Sequence, residues 1–563
     1  INPIISIHDH GAGGHLNCLS ELVEETGGRI EVRKLPIGDP TLSGKEIAGN
    51  ESQERMGLVM HKKDIDHLRN IAERERAPMY VVGETTGDMQ FSFVDEKDGS
   101  KPIDLKLADM FGKPPRTIME DKKQNDSYKD LAYDSKQIQF YLEQVLQLEA
   151  VACKDWLTNK VDRSVTGKIE LQQNAGPLHL PLNNCGIVAL DYKGVTGVAT
   201  SIGHAPVSAM LDAAKGSRLA VVESLTNIVW APIIGKMKGV SLSANWMWPC
   251  KNPGEDARLY EAVEALSNYC IELGINVPTG KDSLSMTQKY KNGEKVIAPG
   301  TVIVSAAAEV TNIRKAVTPV LQRTEKSALF YIDLSDGKRK LGGSSLAQVV
   351  NAIGTDCPDA ANATYFVKAF NTLQQLIDNG QVLAGHDISS GGLITTLLEM
   401  TFTDNQLGLN VDLSALNESD PVKLLFAENP GVIIQVSDSQ KAGVYLTEQG
   451  INYKNIGGLS KAGELAINTG TGKYLFDTKQ LRDVWYKTSF LLDQKQTKPE
   501  LAKERFESYK NNSLNWNFIG FTGKASDIGI DLNRRKPTGT RAAIIREKGV
   551  NGDREMAYAL YTA

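Results

Sequence analysis

The chain has 563 residues, enough for about four domains of roughly 150 residues each. Its 63 Lys and Arg against 68 Asp and Glu leave a formal net charge of −5, which excludes a general positive field for gripping nucleic acid. A hydrophobic fraction of 41% can supply real cores, and no stretch approaches the roughly 18 consecutive apolar residues of a membrane span, so a soluble globular protein is expected.

The six cysteines (Cys18, Cys153, Cys185, Cys250, Cys270, Cys357) form no CxxC pair and no zinc-like cluster with the eight histidines; a reducing, cytoplasmic setting is the simplest expectation. The opening stretch Ile1-Asn-Pro-Ile-Ile-Ser-Ile7 reads as a buried strand without initiator Met or charged leader, and so as part of a longer polypeptide. That strand runs through Ile5 and Ile7 to His8-Asp9, then Gly13-Gly14 opens a helix. The same order recurs about 375 residues on, as Leu383 to His386-Asp387, Gly391-Gly392 and a helix over Leu393 to Met400. Glu54 to Gly57 further matches Glu428 to Gly431. A repeat at such distance predicts two related domains rather than a solenoid.

Residues 118–150 suggest a connecting helix (Tyr128 to Leu148). Beyond them, strands are expected at Cys185 to Leu190, Val195 to Ile202, Gly239 to Trp246 and Thr301 to Val310. Helices are expected over Pro206 to Val229, with Val207, Leu211, Leu219, Val222 and Leu225 as core positions, and over Glu255 to Leu273. This mixture argues for an α/β or α+β architecture. Lys479 to Asn511 reads as a charged amphipathic segment, followed by a connector to Thr540. Arg541 to Arg546 reads as a new strand, with a helix start after Asn551.

Gly274 to Ser283 is the nearest approach to a phosphate loop, but it has five residues between the glycines and Asp282 after Lys281, so it is no P-loop and alone reads as a turn. Glu223 and Asn227, four apart on the expected helix, share one face. Alone they read as a solvated helix edge. Apolar neighbours on several sides also permit a buried pair which, with a carboxylate such as Asp9 or Asp387, suits the oxygen ligation of Mg²⁺. The competing role of Asp9 and Asp387 is helix capping. His8 and His386 read as structural groups, and Trp246 and Trp248 as packing.

Taken together, Ile7 to Gly14, Gly49 to Arg55, Val161 to Gly167, Glu223 to Ile228, Leu242 to Met247, Pro253 to Asp256, Gly280 to Met286 and His386 to Gly392 resemble, in order, the large single-chain form of phosphoribosylformylglycinamidine synthase. The resemblance implies duplicated aminoimidazole ribonucleotide synthetase-like subdomains. These are a first-half C-terminal subdomain (1–117), a connecting helix (118–150), second-half N- and C-terminal subdomains (151–323 and 324–478), a connector (479–540) and the start of a class I glutaminase domain (541–563). It implies an ATP-dependent ligase of purine biosynthesis that joins formylglycinamide ribonucleotide to glutamine-derived ammonia through an iminophosphate, with Mg²⁺ and ATP or ADP as cofactors and neither nucleic acid nor membrane as partner.

By the same resemblance Asp9 is a catalytic-site Mg²⁺ ligand, and Glu51, Ser52 and Gln53 contact substrate. Gly280 and Lys281 approach nucleotide, Ser283 approaches nucleotide and substrate, and Lys281 replaces a metal-ligating Asn. Asn184, Glu223, Asn227 and Asp387 hold Mg²⁺ at an auxiliary nucleotide site, where Asn183 and Ser389 contact the nucleotide; Asn183 and Asn184 stand where the family often has Ala and Asp. The catalytic His, the missing first-half subdomain and the glutaminase triad are expected outside this sequence, so the chain alone is expected to be inactive. Two other readings are a nucleotide-stabilised scaffold and a stand-alone relative such as aminoimidazole ribonucleotide synthetase or selenophosphate synthetase.

Overall fold

A computed structural model describes residues 2–51, 55–112, 118–124, 128–158, 161, 163, 167–335, 337–511, 517, 519–546 and 552–563. The chain divides into two compact units, residues 1–118 and 119–563. Among the described residues no helix is long and apolar enough to cross a membrane.

In the first unit, β1 (Ile4–Asp9) leads through the Gly-rich turn into α1 (Gly14–Leu22) and pairs antiparallel with β2 (Met56–Met60), Asp9 opposite Met56. Gly13 and Gly14 have φ of 81° and 60°, and a Cβ on Gly14 would lie 2.4 Å from the Asn50 carbonyl oxygen, so glycine is required where the strand turns into the helix. A four-stranded sheet packs Phe91 and Phe93 into a small core with Leu19, Ile30 and Leu107. β1 is not the buried strand expected: Ile5 and Ile7 are 59% and 53% exposed, because its two-stranded ribbon does not extend that sheet.

His10 and His15 are buried edge to face, with ring centroids 4.8 Å apart, and Arg55 Nη1 lies 3.3 Å from His15 Nε2. Burial, reinforced by His10 and Arg55, pushes His15 down to about 4. A histidine held neutral in the fold but free to protonate when unfolded stabilises fully above about pH 6.5, and that contribution vanishes as pH falls through about 4. It amounts to about 3 kcal/mol. Amide exchange along α1 should therefore accelerate as pH falls from 7 to 5, after correction for intrinsic rates, and His15→Phe should flatten that dependence.

In the second unit a six-stranded sheet contains β3 (Gly197–His204), β4 (Val240–Met247), β5 (Asn276–Ser283) and β6 (Thr301–Val310), with β5 at one edge, parallel to β4. The helix expected over Pro206 to Val229 is broken: Asp212 leaves helical geometry and its side chain caps Lys215 N, separating Pro206–Leu211 from α2 (Ala213–Ile228). α3 (Glu255–Leu273) has the expected bounds, with acidic residues in its first turn and Gly274 at φ 72° after its last.

The second sheet has seven strands, among them β7 (Ala328–Asp333), β8 (Val382–Ile388) and β9 (Gly431–Val436). Val222, Leu225 and Trp230 join Phe330, Phe366 and Ile434 in one core, so the segments on either side of residue 323 are not separately packed. Another core gathers Leu142 and Leu146 with α4 (Gly392–Phe402), which follows β8, and with Trp485 and Tyr486 of α5 (Thr478–Gln496). The amphipathic segment expected to begin a connector is thus built into this unit, together with α6 (Pro499–Ser508).

Residues 541–546 form no strand and have no sheet neighbour among the described residues; Ile545 is 93% exposed. The terminal helix α7 (Asp553–Thr562) does form, and its Tyr558 stacks on Tyr192 at 4.5 Å.

Candidate functional site

Both His-Asp copies place the aspartate at a strand end and two glycines at the start of the next helix, yet neither aspartate caps that helix. Gly13 and Gly391 are the N-caps, without side-chain capping bonds. Their backbone amides instead donate to Glu51 Oε1 (3.1 Å) and Glu428 Oε1 (2.7 Å). The strand-end partners of Asp9 and Asp387 are Met56 and Val432. Structural correspondence therefore couples Glu51 with Glu428 and corrects the sequence match of Glu54 with Glu428; Glu54 lies outside the described residues, as do Ser52 and Gln53. Asp9 has a side chain 72% exposed, with His8 Nδ1 3.6 Å from its Oδ1.

In the second unit the corresponding groups are closed in. Asp387 is 2% exposed; its Oδ1 accepts from Asn184 Nδ2 and lies in hydrogen-bonding reach of His386 Nδ1, each at 3.0 Å. Asp387 Oδ2 and Asn184 Oδ1 are buried without a hydrogen-bond partner. On α2, Glu223 Oε2 accepts from His204 N at 2.6 Å and Asn227 Nδ2 donates to the Ile202 carbonyl at 3.0 Å. Both therefore turn toward β3 and are not a solvated edge.

Burial pushes Glu223 up to about 8 against the opposing bond from His204, and the charges of Asp387 and Glu428 push the same way. Burial also raises Glu428, although it accepts from the amides of Gly391 and Ser345 (2.8 Å). Burial works against the imidazolium of His386, but Asp387 and Glu399 outweigh it and lift the ring to about 9.

The remaining expected residues are dispersed. Asn183 Nδ2 donates to the carbonyls of Gln172 (2.6 Å) and Asn174 (2.9 Å), leaving its buried Oδ1 without a partner. Ser389 is half-buried in the turn after β8, its carbonyl accepting from Gly392 N. Gly280, Lys281 and Ser283 are not in a loop but on edge strand β5, Gly280 opposite Ala244 and Lys281 opposite Asn245. A Cβ on Gly280 would come 2.2 Å from the Ala244 carbonyl oxygen, which explains the glycine. Among the described residues, no hydrogen bond or ion pair links these three to the Asp387 cluster. Trp248 is buried and donates to the Glu255 carbonyl, so it packs.

Among the described residues no group of three or more His, Cys, Asp and Glu has a metal-holding arrangement. A cation here would rest on two carboxylates, Glu223 and Asp387, with amide oxygens from Asn184 and Asn227. That all-oxygen set, with two unsatisfied buried oxygens, fits a hard ion such as Mg²⁺. The sequence reading missed Glu428, Glu399 and Glu21. The latter two carried a signal, since each follows its histidine by 13 residues.

The FGAR-AT PurM_N-like domain family matches residues 153–309, and the C-terminal domain family of AIR synthase related proteins matches residues 1–96 and 333–469. The α/β fold thus carries two segments similar to the C-terminal domain of AIR synthase related proteins, with one segment similar to the FGAR-AT PurM_N-like domain between them. PurL of Thermotoga maritima shares the fold: complexed with ATP it superposes with a TM-score of 0.51 at 18% identity, over 81% of this chain and 64% of that one. The same protein complexed with FGAR gives 0.50 at 17% identity, over 81% of this chain and 62% of that one.

The chain is homologous along its whole length to phosphoribosylformylglycinamidine synthases. It is 38% identical to the Homo sapiens protein and 37% identical to a probable chloroplastic/mitochondrial one of Arabidopsis thaliana, and it spans 43% and 41% of their respective lengths.

Proposed function

We propose that the chain is part of an enzyme that converts formylglycinamide ribonucleotide, ATP and glutamine-derived ammonia to formylglycinamidine ribonucleotide in cytoplasmic purine biosynthesis. Homology over the entire chain carries this reading. The PurL structures complexed with ATP and with FGAR support nucleotide and substrate of those classes, and six buried thiols suit a reducing compartment. ATP would activate the amide oxygen and ammonia would displace the phosphate; such chemistry rests on positioning and on neutralising phosphate charge.

The role assigned to this chain's second unit is to hold ADP or ATP with Mg²⁺ without turning substrate over. Asn184, Glu223, Asn227 and Asp387 would hold the ion, whose chemistry is to neutralise phosphate charge, while Asn183 and Ser389 would contact nucleotide. By the family resemblance Asp9, Glu51, Ser52 and Gln53 would serve metal and substrate in the first unit, and Gly280, Lys281 and Ser283 would approach nucleotide or substrate from the second. Where the first unit follows its glutamate with Ser52 and Gln53, the second has Asn429 and Pro430. Asn429 spends its amide on Ser335 Oγ and the Lys338 carbonyl, both at 2.9 Å, and Pro430 offers no side-chain hydrogen bond. At those two positions the second unit thereby offers no free side-chain amide to a substrate, while it keeps the cluster around Asp387.

The chain, purified and then denatured, should release near-stoichiometric ADP and magnesium, read by mass, absorbance and metal analysis. A protein that releases neither and shows no thermal response to added ADP and Mg²⁺ would refute the nucleotide-holding role.

A further inference from the structure

Behind each strand-end aspartate stands a histidine, and behind each histidine a glutamate that the reading above does not use. In the second unit Glu399, seven residues into α4, places Oε2 3.3 Å from His386 Nε2, while His386 Nδ1 lies 3.0 Å from Asp387 Oδ1. Both ring nitrogens face carboxylates, Nδ1 at hydrogen-bonding distance and Nε2 at ion-pair distance without hydrogen-bond geometry, so a flipped ring would turn carbon to both. In the first unit Glu21, seven residues into α1, pairs with His8 Nε2, while His8 Nδ1 lies 2.9 Å from the Asp9 carbonyl and 3.6 Å from Asp9 Oδ1.

Satisfying a buried ring does not account for both copies, because the side chains of His8 and Glu21 are 38% and 32% exposed whereas those of His386 and Glu399 are 9% and 16% exposed. Water could serve the first pair, yet the spacing and the pairing of histidine Nε2 with a glutamate are the same. What the copies share is the aspartate next to the histidine. In the buried copy, Asp387 Oδ1 is taken up by His386 and Asn184, and Oδ2 alone is left without a partner.

We infer that Glu399 is a positioning residue, which fixes the His386 ring so that it occupies Asp387 Oδ1 and leaves Oδ2 as the ligand oxygen, and that Glu21 likewise fixes the His8 ring, there with Nδ1 turned to the Asp9 carbonyl. This rests on Asp387 serving a Mg²⁺-nucleotide, and it adds the group that orients that ligand. Outer groups of this kind are worth about 10–100-fold in metal affinity.

The test takes the whole chain as wild type, Glu399→Leu and Glu399→Gln. In metal-free protein, ¹⁵N-histidine NMR should show a hydrogen-bonded Nδ1 proton on His386, lost in the Leu variant and retained in the Gln variant, whose amide oxygen still faces Nε2. Mg²⁺ titrated into ADP-saturated protein should bind at least tenfold more weakly to the Leu variant, with most affinity restored in the Gln variant. An unchanged His386 signal in Glu399→Leu, or wild-type Mg²⁺ affinity in that variant, overturns the inference. Wild-type protein that binds no Mg²⁺ with ADP sinks the nucleotide-holding role instead, and the metal-free NMR still decides the positioning claim. Should Glu399→Leu fail to fold, Glu21→Leu at the half-exposed copy gives the same reading on His8: loss of its fixed ring signal supports the inference, and an unchanged signal overturns it.

Discussion

Glu223→Ala should abolish the stabilisation expected from ADP with Mg²⁺ under the proposed nucleotide-holding role. In the absence of a cation, burial and then the charges of Asp387 and Glu428 lift Glu223 to about 8, and Asp387 Oδ2 and Asn184 Oδ1 are left unsatisfied. A divalent ion removes these penalties together, and a ligand that binds only the folded state at about 100 times its Kd stabilises by about 2.7 kcal/mol. Alanine removes one of the two carboxylates available to the ion, while its high helix propensity keeps α2 helical. Thermal melts with ADP alone, Mg²⁺ alone and both should show the shift only for wild type with both; a full shift in Glu223→Ala would remove this residue from the site.

Asp155→Ala lowers the stability of the second unit by about 3 kcal/mol, the lower end of what breaking a buried ion pair costs. Asp155, with a side chain 6% exposed, accepts from Tyr486 Oη at 2.5 Å, Arg505 Nε at 2.6 Å and Arg505 Nη2 at 3.0 Å. It joins the short helix Asp155–Thr158 to α5 and α6. Trp485 Nε1 donating to the Val151 carbonyl (2.9 Å) and Trp156 N donating to Ser489 Oγ (2.8 Å) extend the same seam. The lower end applies because the Arg505 side chain, 42% exposed, regains water once its partner is gone. Urea denaturation measures the loss, and Asp155→Leu combined with Arg505→Leu should recover part of it by replacing the pair with packing. A loss below about 1 kcal/mol would mean that α5 and α6 are held by apolar contacts alone.

The elements most legible in the sequence were those whose information is local. The bounds of α3 follow from acidic residues at its start and Gly274 after its end, and the apolar run of Thr301–Val310 forms β6 with the expected bounds. The break at Asp212 was hidden because apolar residues continue on both sides of it at helical spacing, and only the side-chain cap on Lys215 N shows that the backbone leaves the helix. Strand Arg541 to Arg546 was over-read for the opposite reason: an Ala-Ala-Ile-Ile run has strand propensity, but a strand exists only beside a hydrogen-bonded neighbour.

By itself the sequence determined the duplicated His-Asp-Gly-Gly framework and the Glu223 to Asn227 helix face, since each motif is written in residues close together along the chain. Tertiary structure alone decided that Glu428 is the counterpart of Glu51, that Asn184 meets Asp387 across 203 residues, and that the charged segment after residue 478 is core. The physical reason is the same in each case: burial, hydrogen-bond satisfaction and the energy of a carboxylate depend on which groups the fold brings within a few ångströms, and no local pattern encodes that distance.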